Sequence, residues 1–491
     1  MNSWMVLVPV LLPILMGMLI PCLKILEREK IRNIYVTGAL GLELIVVWLW
    51  MGREGSSCLA FFLLENLPIY FHIDRLSVFF SGLISVIWIC SGIFALEYMK
   101  HEGEERRYYT FYLIAEGVLV GLSYAGNLLT LYFCFECMTL LTMPLVLHSK
   151  TKEAVRAARK YMFYSIFGAS AALGGICILA AYAPSIAFIP GGVFTPESFE
   201  AHETLYLAAA AIMVVGFCGK AGIFPLHGWL PTAHPQAPAP ASAVMSGVIT
   251  KMGVLACMRT VFYIFGVDYL RDTWVQMLWL ILALITIFLG SMMAYKEPMM
   301  KRRFAYSTVS QVSYILLGLA SMTVAGVTGA LLHIVFHGIA KTALFLMSGA
   351  VIYETGKTRI RQLAGIGKEL PLVMTGFTMA SISLVGIPPA AGFVSKEFLA
   401  HGVMESQIPV LYWLGPVILL ISAVLTAGYL LMISIDGYAP KGGKKKEWKK
   451  IETDWKLTVP VFGLGIAAIV MGIWPGPLVK VAEQIAQMLI G

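Results

Sequence analysis

Ionisable side chains lie inside several of the long apolar runs of this 491-residue chain. A charge near the centre of a lipid bilayer costs roughly 2.5–3.5 kcal/mol on insertion scales, so such residues are normally paired, hydrated or functional. The residues have mixed sign and are spread over five apolar runs, which favours a path for protons or ions. They are Glu136, Lys220, Lys251, His333, His337, Lys341 and Lys396.

The composition is that of an integral membrane protein. Hydrophobic residues make up 58% of the chain and charged residues 13%, whereas soluble domains carry about 25% charged residues. A transmembrane helix needs about 20 apolar residues, so we predict an all-α polytopic membrane protein with about fourteen spans. Their approximate ranges are 4–26, 33–52, 76–98, 108–124, 127–147, 161–184, 204–225, 237–262, 274–294, 304–321, 326–350, 371–399, 409–435 and 457–475. The spans leave no stretch for a soluble domain, and we expect no signal peptide.

Lysine and arginine residues concentrate in the loops after odd-numbered spans. The loop after the third span carries Lys100, Arg106 and Arg107, whereas the segment 186–203, after the sixth span, carries none. By the positive-inside rule the basic loops are cytoplasmic and both termini are external. We therefore expect a multi-pass protein of a bacterial or archaeal cell membrane. The most basic loop contains Lys441, Lys444, Lys445, Lys446, Lys449 and Lys450.

Glycine and proline interrupt the seventh and twelfth predicted spans. One interruption lies within 216–225 and the other within 386–396, and each contains one of the buried lysines. Proline removes a helical hydrogen bond and glycine loosens the turn. Irregular backbone at membrane depth persists only against protein or a water-filled cavity. Broken helices beside charged residues are typical of ion sites in inverted-repeat transporters.

Glu136 has no sequence neighbour that neutralises its charge, and Lys220 is its natural partner in another span. Burial favours the neutral form of both side chains. A Glu–Lys pair whose separation changes can therefore control proton uptake. The alternative is a static ion pair that holds two helices together.

His333, His337 and Lys341 are spaced four residues apart and lie along one stripe of the predicted eleventh helix. Three titratable groups on one buried stripe fit a proton relay that includes water. Two histidines at this spacing can also bind zinc, but the stripe lacks a nearby acidic or thiol ligand and is not H-E-x-x-H. We predict no metal here. For either histidine alone, an ordinary core histidine is the alternative.

Lys251 has apolar sequence on both sides and is expected at membrane depth, whereas Lys396 lies nearer a span end, where a lysine can reach the surface. The cysteines lie mostly in or beside apolar runs, and the single C-x-x-C at 134–137 lacks further ligands, so we interpret them as structural. Flavin, iron–sulfur and nucleotide motifs are not recognisable, and we predict no cofactor. Four other titratable residues have two interpretations each. Glu43 and Glu116 are either structural hydrogen-bonding groups or members of the path. His227 and His234 either line a cytoplasmic entrance or fix a structural turn.

Six stretches of the chain resemble the antiporter-like subunits of respiratory complex I, of Mrp-type sodium/proton antiporters and of membrane-bound hydrogenases of the hydrogenase-4 and formate hydrogenlyase type. The stretches are 135–140, 220–231, 240–251, 305–311, 333–346 and 386–396. They follow the family's order over most of the chain. The segment 233–243 is more similar to the hydrogenase and Mrp branches, and we expect the chain to correspond to the family's shorter members, which lack a C-terminal lateral helix.

The resemblance implies two inverted five-helix repeats and a place in a multisubunit membrane complex. The implied division is 1–107 for helices one to three, 108–262 for the first repeat, 274–435 for the second and 457–491 for helix fourteen and the C-terminus. It also implies a Glu136–Lys220 pair, a central relay through Lys251 and the histidine stripe, and a terminal lysine at Lys396. Redox chemistry would then belong to partner subunits. The sequence does not decide whether H⁺ or Na⁺ is the coupled ion. Two rival functions also stay open: a stand-alone transporter of a small solute, and a structural subunit with fixed ion pairs.

Overall fold

Apolar α-helices form most of the chain in the computed structural model, which describes residues 3–64, 67–440 and 448–491. The first ten helices are α1 (Val8–Cys22), α2 (Glu29–Trp50), α3 (Arg75–Glu102), α4 (Glu105–Ser123), α5 (Leu128–Val146), α6 (Lys152–Tyr182), α7 (Pro196–Glu200), α8 (Glu203–Ala221), α9 (Leu230–Gln236) and α10 (Ala239–Val244). The other ten are α11 (Thr250–Thr260), α12 (Trp274–Lys296), α13 (Met300–Ala320), α14 (Val324–Thr355), α15 (Ile366–Glu369), α16 (Pro371–Val385), α17 (Ala391–Glu405), α18 (Leu411–Tyr438), α19 (Trp455–Ile473) and α20 (Gly476–Ile490).

Eleven helical segments in the described part of the chain are long and apolar enough to cross a membrane. They confirm the prediction of a polytopic, helical membrane protein. The helices α4, α13, α16 and α17 are not among the eleven, because they are more polar or shorter. Of the basic loop after α18, Lys441, Lys444, Lys445 and Lys446 lie outside the described residues.

Both predicted interruptions are present. The first separates α8 from α9, and Gly222 closes α8 with a φ of +92°. The second separates α16 from α17, and Gly386 closes α16 with a φ of +87°. Glycine adopts this left-handed conformation without the steric cost that a Cβ would bring. Each glycine therefore ends its helix at the point where the sequence predicts a break.

Two of the eleven membrane-length segments are the most completely buried in the described part of the chain. Residues 326–351 of α14 are all buried, and so is the stretch Ala239–Phe265, which contains α10 and α11. The helices α1 and α2 instead leave many large apolar side chains exposed, as helices in contact with lipid do. The interior of the bundle is therefore built around α11 and α14, and these helices carry Lys251 and the histidine stripe.

A β-hairpin and a C-terminal helix are absent from our sequence prediction. Strands β1 (Ser57–Leu64) and β2 (Leu67–His72) pair antiparallel between α2 and α3. Helix α20 buries Ala482, Ile485 and Leu489 on one face. A search for runs of about 20 apolar residues misses both, because the strands are shorter and α20 is apolar on one side only.

A buried ion pair connects the start of α3 to α11. Asp74 caps α3 by accepting a hydrogen bond from Ser77 N at 2.8 Å. Arg259 of α11 donates to the two carboxylate oxygens of Asp74 at 2.5 and 2.8 Å and packs against the Tyr263 ring at 4.4 Å. Because the guanidinium is 2% exposed, this pair fixes α11 relative to the N-terminal helices.

Candidate functional site

Three hydroxyl groups hold the ammonium of Lys220 at the end of α8. Its Nζ donates to Thr139 Oγ1 at 2.9 Å, to Tyr161 OH at 2.6 Å and to Ser165 Oγ at 3.1 Å. The side chain is buried, as predicted. An ammonium has three donors, so the hydroxyls of α5 and α6 satisfy all of them without neutralising the charge.

Glu136 lies on α5 three residues before Thr139, and it is only half-buried. Its Oε1 accepts a hydrogen bond from Tyr132 OH at 3.2 Å. Within the described part of the chain no ion pair connects Glu136 to Lys220, because the lysine donors are already bound to hydroxyls. Both residues neighbour Thr139, which lies one turn after Glu136 on α5 and accepts a hydrogen bond from Lys220. The structure thus places the two groups in one region, and a working Glu–Lys pair stays a prediction.

Lys251 follows a π-helical segment, Met245–Ile249. A π-turn breaks the regular hydrogen bonding of an α-helix and is frequent at functional sites. Here the carbonyl oxygen of Ser246 accepts from Thr250 Oγ1 at 3.1 Å and from Lys251 Nζ. Lys251 is fully buried, as predicted, and among the described residues Ser246 supplies its single hydrogen-bond acceptor.

His333 and His337 stack along α14 with their ring centroids 5.8 Å apart. The Nδ1 of His333 lies 2.9 Å from Ser395 Oγ and its Nε2 lies 3.2 Å from Gln311 Oε1. Both ring nitrogens of His337 are buried and have no hydrogen-bond partner in the described ranges. A buried polar group without a partner is costly, so the His337 nitrogens are available to water or to a proton in transit.

The two remaining lysines bind backbone carbonyls. Lys341 donates to Phe304 O at 3.2 Å. Lys396 donates to Leu384 O at 2.6 Å and to Val385 O at 2.8 Å. These carbonyls end α16, where the break leaves them without helical partners and with the negative end of the helix dipole. The amine of Lys396 is thus turned towards the break.

We name five titratable side chains the polar row: Lys251, His333, His337 and Lys341, which are buried, and Lys396, which is partly exposed. His337 lies one helical turn from both His333 and Lys341 on α14. The part of the row on α14 spans about 12 Å at 1.5 Å per residue. Lys220 lies on a helix packed closely against α11, since an added Cβ on Gly253 would lie 3.1 Å from the Lys220 Cβ.

Residues 125–426 of the chain match the model of the NADH:quinone oxidoreductase/Mrp antiporter transmembrane family. The chain belongs to this family. Residues 64–111 also match the model of the complex I (NADH-ubiquinone oxidoreductase) chain 5 N-terminus. The matched regions contain the whole polar row together with Glu136 and Lys220, and they confirm the resemblance that the sequence motifs carry.

Two relatives and one solved structure illustrate the similarity. The chain is 31% identical over 431 residues to NADH-quinone oxidoreductase subunit N of Desulforudis audaxviator, a match that covers 84% of each chain. It is 28% identical to a subunit of the Na⁺/H⁺ antiporter of Alkalihalophilus pseudofirmus, with 100% of this chain and 98% of the relative covered. The solved structure is the membrane-bound sulfane sulfur reductase, an archaeal respiratory membrane complex. One of its chains superposes on this chain with a TM-score of 0.86 at 22% sequence identity. The superposition covers 99% of this chain and 98% of the other, which shows a shared fold.

Uncharged polar residues complete the site, and our sequence analysis did not single them out. Thr139, Tyr161 and Ser165 surround Lys220, and Gln311 and Ser395 hold His333. Serine, threonine and tyrosine are common in membrane helices, so composition gives no signal. Helical spacing could have identified one of these residues. Thr139 lies one turn from Glu136 on the same helix, so its side chain is expected near that charge.

The residues with open interpretations fall into two groups. His234 is fully buried beside the polar row, with its ring stacked 4.6 Å from that of Phe345, whereas His227 is half-buried against Phe224. Glu43 on α2 and Glu116 on α4 are buried outside the row. Their four carboxyl oxygens have no hydrogen-bond partner in the described part of the chain, and both interpretations of these residues stay predictions. The described residues also contain no cluster of three or more metal ligands.

Proposed function

We propose that this chain is the proton-translocating, antiporter-like membrane subunit of a multisubunit complex. The observation that supports the proposal is the polar row, whose members on α11 and α14 are buried titratable groups with few fixed partners among the described residues. Static structural charges would be expected in close ion pairs, as Asp74 and Arg259 are. In the row, by contrast, Lys251 and Lys341 donate to neutral backbone carbonyls. The two ring nitrogens of His337 have no hydrogen-bond partner among the described residues.

The arrangement suits stepwise proton transfer. Lys220 receives or releases a proton as its interaction with Glu136 strengthens or weakens, while the hydroxyls of Thr139, Tyr161 and Ser165 keep the amine in place. Lys251 then exchanges charge with the histidines of α14, and Lys396 ends the route at the second break. Histidine titrates near neutral pH and both its nitrogens can take part, so it suits the centre of such a route.

The proposed architecture has fourteen membrane crossings. The eleven long apolar segments supply most of them, and α4, α13 and the broken helix α16–α17 supply the rest. Two five-helix units, 108–262 and 274–435, follow the N-terminal helices of 1–107 and precede 457–491. The units have matching patterns, since the third helix of each is its longest unbroken helix, at 31 residues in α6 and 32 in α14, and the fourth is interrupted. We propose that they are inverted repeats and that both chain termini are external.

Partner subunits are part of the proposal. Glu136 is half-buried on a face of α5 where Phe133 and Leu140 are 47% and 54% exposed. A carboxylate on an apolar membrane face needs cover from protein or water, so a neighbouring membrane subunit fits there. The similarity to an NADH-quinone oxidoreductase subunit and to an Na⁺/H⁺ antiporter subunit supports such an assembly. Any redox chemistry belongs to the partners.

Reconstitution of the purified complex tests the proposal. A complex in liposomes should move protons, measured with a pH-sensitive dye inside the vesicles, and a complex with Lys251→Ala should assemble but not move them. Replacing external Na⁺ by K⁺ distinguishes proton transport from sodium/proton exchange. Proton movement by assembled Lys251→Ala complexes at the wild-type rate would show that the polar row is structural. Transport of a small organic solute by the isolated chain would favour a stand-alone transporter.

A further inference from the structure

Seven hydroxyl side chains meet inside the protein where α12, α13 and α18 pack together. Each of them is fully buried. On α13 and on α18 they are spaced three or four residues apart, so each set lies on one face of its helix. We name them the hydroxyl column: Ser291 of α12, Ser307, Ser310 and Tyr314 of α13, and Ser422, Thr426 and Tyr429 of α18.

The middle of the column is a triangle of serines from three helices. Ser291 Oγ lies 2.8 Å from Ser310 Oγ and 2.5 Å from Ser422 Oγ. The Oγ atoms of Ser310 and Ser422 lie 3.2 Å apart. Oxygen atoms of hydroxyl groups at these distances are hydrogen-bonded to one another. Because the three hydroxyls already fill each other's hydrogen-bonding positions, the triangle suits proton transfer better than the binding of a metal cation.

A second group of hydroxyls lies one turn nearer the start of α13. Tyr429 OH donates to Ser307 Oγ at 2.8 Å and lies 3.2 Å from Thr426 Oγ1. Ser307 precedes Ser310 by three residues, so a gap of roughly 5 Å separates this group from the triangle. One water molecule with two ordinary hydrogen bonds spans such a gap.

The column reaches the loop that follows α12. Arg303, one turn before Ser307, is partly exposed and donates to Tyr429 O at 3.1 Å. Ser291 lies five residues before Lys296, the exposed last residue of α12, which corresponds to about 8 Å along the helix. This loop is rich in lysine and arginine, so in the proposed orientation the column begins at the cytoplasmic side.

Tyr314 connects the column to the polar row. It follows Ser310 by one turn, and its OH donates to Leu419 O of α18 at 3.1 Å. The Nζ of Lys396 lies 5.2 Å from the centre of the Tyr314 ring. The centre of the His333 ring lies 5.6 Å from the same point. The column therefore ends beside two members of the row.

An unpaired amide group lies at the junction of the column and the row. Gln311 follows Ser310 on α13 and is fully buried, and its Nε2 has no hydrogen-bond partner among the described residues. Its Oε1 lies 3.2 Å from His333 Nε2, so the unpaired donor is close to this ring. A buried donor without a partner is costly. The position therefore favours a water molecule between the column and the row.

We propose that the hydroxyl column is a second proton entrance, which carries protons from the loop after α12 to Lys396. The inference rests on the proposed function and assigns a role to residues outside the polar row. In each step an oxygen accepts a proton on one side and releases its own proton to the next oxygen, so no group is consumed. Once Lys396 has released a proton, it takes the next one from the column.

The polar row still controls the release of protons from Lys396. Positive charge that reaches His333 from Lys251 disfavours a second positive charge on Lys396. Release therefore follows the movement of charge along the row, and reloading follows through the column. Because the two act in series, Lys251→Ala stops proton movement even when the column is intact.

Loss of single hydroxyl groups tests the entrance. Proton movement by the purified complex in liposomes is followed with a pH-sensitive dye. Ser422→Ala and Tyr429→Phe each remove one hydroxyl and nearly conserve the volume of the side chain. Each should lower the rate about tenfold or more, since a positioned proton-transfer group contributes a factor of about 10²–10⁴ and water replaces a hydroxyl only in part. Both substitutions interrupt one chain, so the double variant should be no slower than the slower single variant.

Ser313→Ala is the matched control. This serine is also buried on α13, but its hydroxyl donates to Val309 O of its own helix. Its loss should leave the rate of proton movement at the wild-type value. Thermal unfolding of every purified variant shows whether a lower rate reflects a less stable complex.

Slow proton movement in both single variants, with an equally slow double variant and an unchanged control, supports the entrance. Wild-type rates in assembled Ser422→Ala and Tyr429→Phe complexes would overturn it, because the hydroxyls would then serve helix packing alone, while the proposed function would stand. Losses that multiply in the double variant would also overturn it, since independent structural effects add in free energy. A wild-type complex that moves no protons would refute the proposed function itself.

Discussion

His337 offers a substitution that separates proton transport from folding. Its two ring nitrogens have no hydrogen-bond partner among the described residues, whereas His333 contacts Ser395 and Gln311. His333→Phe leaves the Gln311 amide oxygen unpaired and weakens the hold on Ser395, which costs about 1–3 kcal/mol of unfolding free energy. His337→Phe unpairs no protein group in the described ranges, so its cost should stay under about 1.5 kcal/mol, as for other substitutions that nearly conserve volume.

Two substitutions at His337 should also differ in their effect on proton movement. The phenyl ring of His337→Phe carries no proton and fills the space that water needs, so proton movement should fall strongly although the complex stays folded. His337→Ala leaves room for water, which replaces an imidazole in part. We expect His337→Ala to transport roughly tenfold faster than His337→Phe, a difference of about 1.4 kcal/mol in the barrier.

Thermal unfolding of the purified complex and dye-detected proton movement in liposomes measure the two effects. His333→Phe is the matched control, since it has the same substitution on the same helix one turn away. Wild-type transport by His337→Phe would remove His337 from the route. A loss of stability in His337→Phe equal to that in His333→Phe would contradict the absence of fixed partners for the His337 ring.

Two further predictions concern the charges of the first unit and the orientation. Glu136→Ala and Lys220→Ala should each abolish proton movement in assembled complexes, because each removes one group of the proposed pair. Expression is measured separately, since an unpaired buried charge costs roughly 3–5 kcal/mol. Near-normal transport by Glu136→Ala would refute the pair. An impermeant thiol reagent added outside cells should label a cysteine placed after Gly491 but not Lys450→Cys, and the opposite pattern would reverse the orientation.

The helices and their interruptions were predictable from local chemistry. Apolar runs of about 20 residues are costly to expose to water, and glycine at a left-handed position ends a helix wherever it occurs. For this reason the glycines and prolines of 216–225 and 386–396 predict the two breaks, and the structure places them at Gly222 and Gly386. The hairpin β1–β2 and helix α20 were missed because the strands are short and α20 is apolar on one side only, so neither contains a run of about 20 apolar residues.

The candidate site was predictable only in its charged members. Lys220 and Lys251 stand out because a charge in an apolar run is rare. Their acceptors do not stand out, since the hydroxyl of Tyr161 and the carbonyl of Ser246 become ligands only through helix packing and the π-turn before α11. Helix packing likewise gives Lys220 hydroxyl partners instead of a direct contact with Glu136. No sequence spacing reveals these hydroxyl contacts.

Proton movement by a Lys251→Arg complex tests the central claim most directly. Arginine keeps the positive charge at this position but does not release its proton, so the variant separates a conserved charge from a transferable proton. The polar row as a proton route predicts an assembled complex in liposomes that moves few or no protons. Wild-type proton movement in the same complex would contradict the account, because Lys251 would then serve only as a fixed charge.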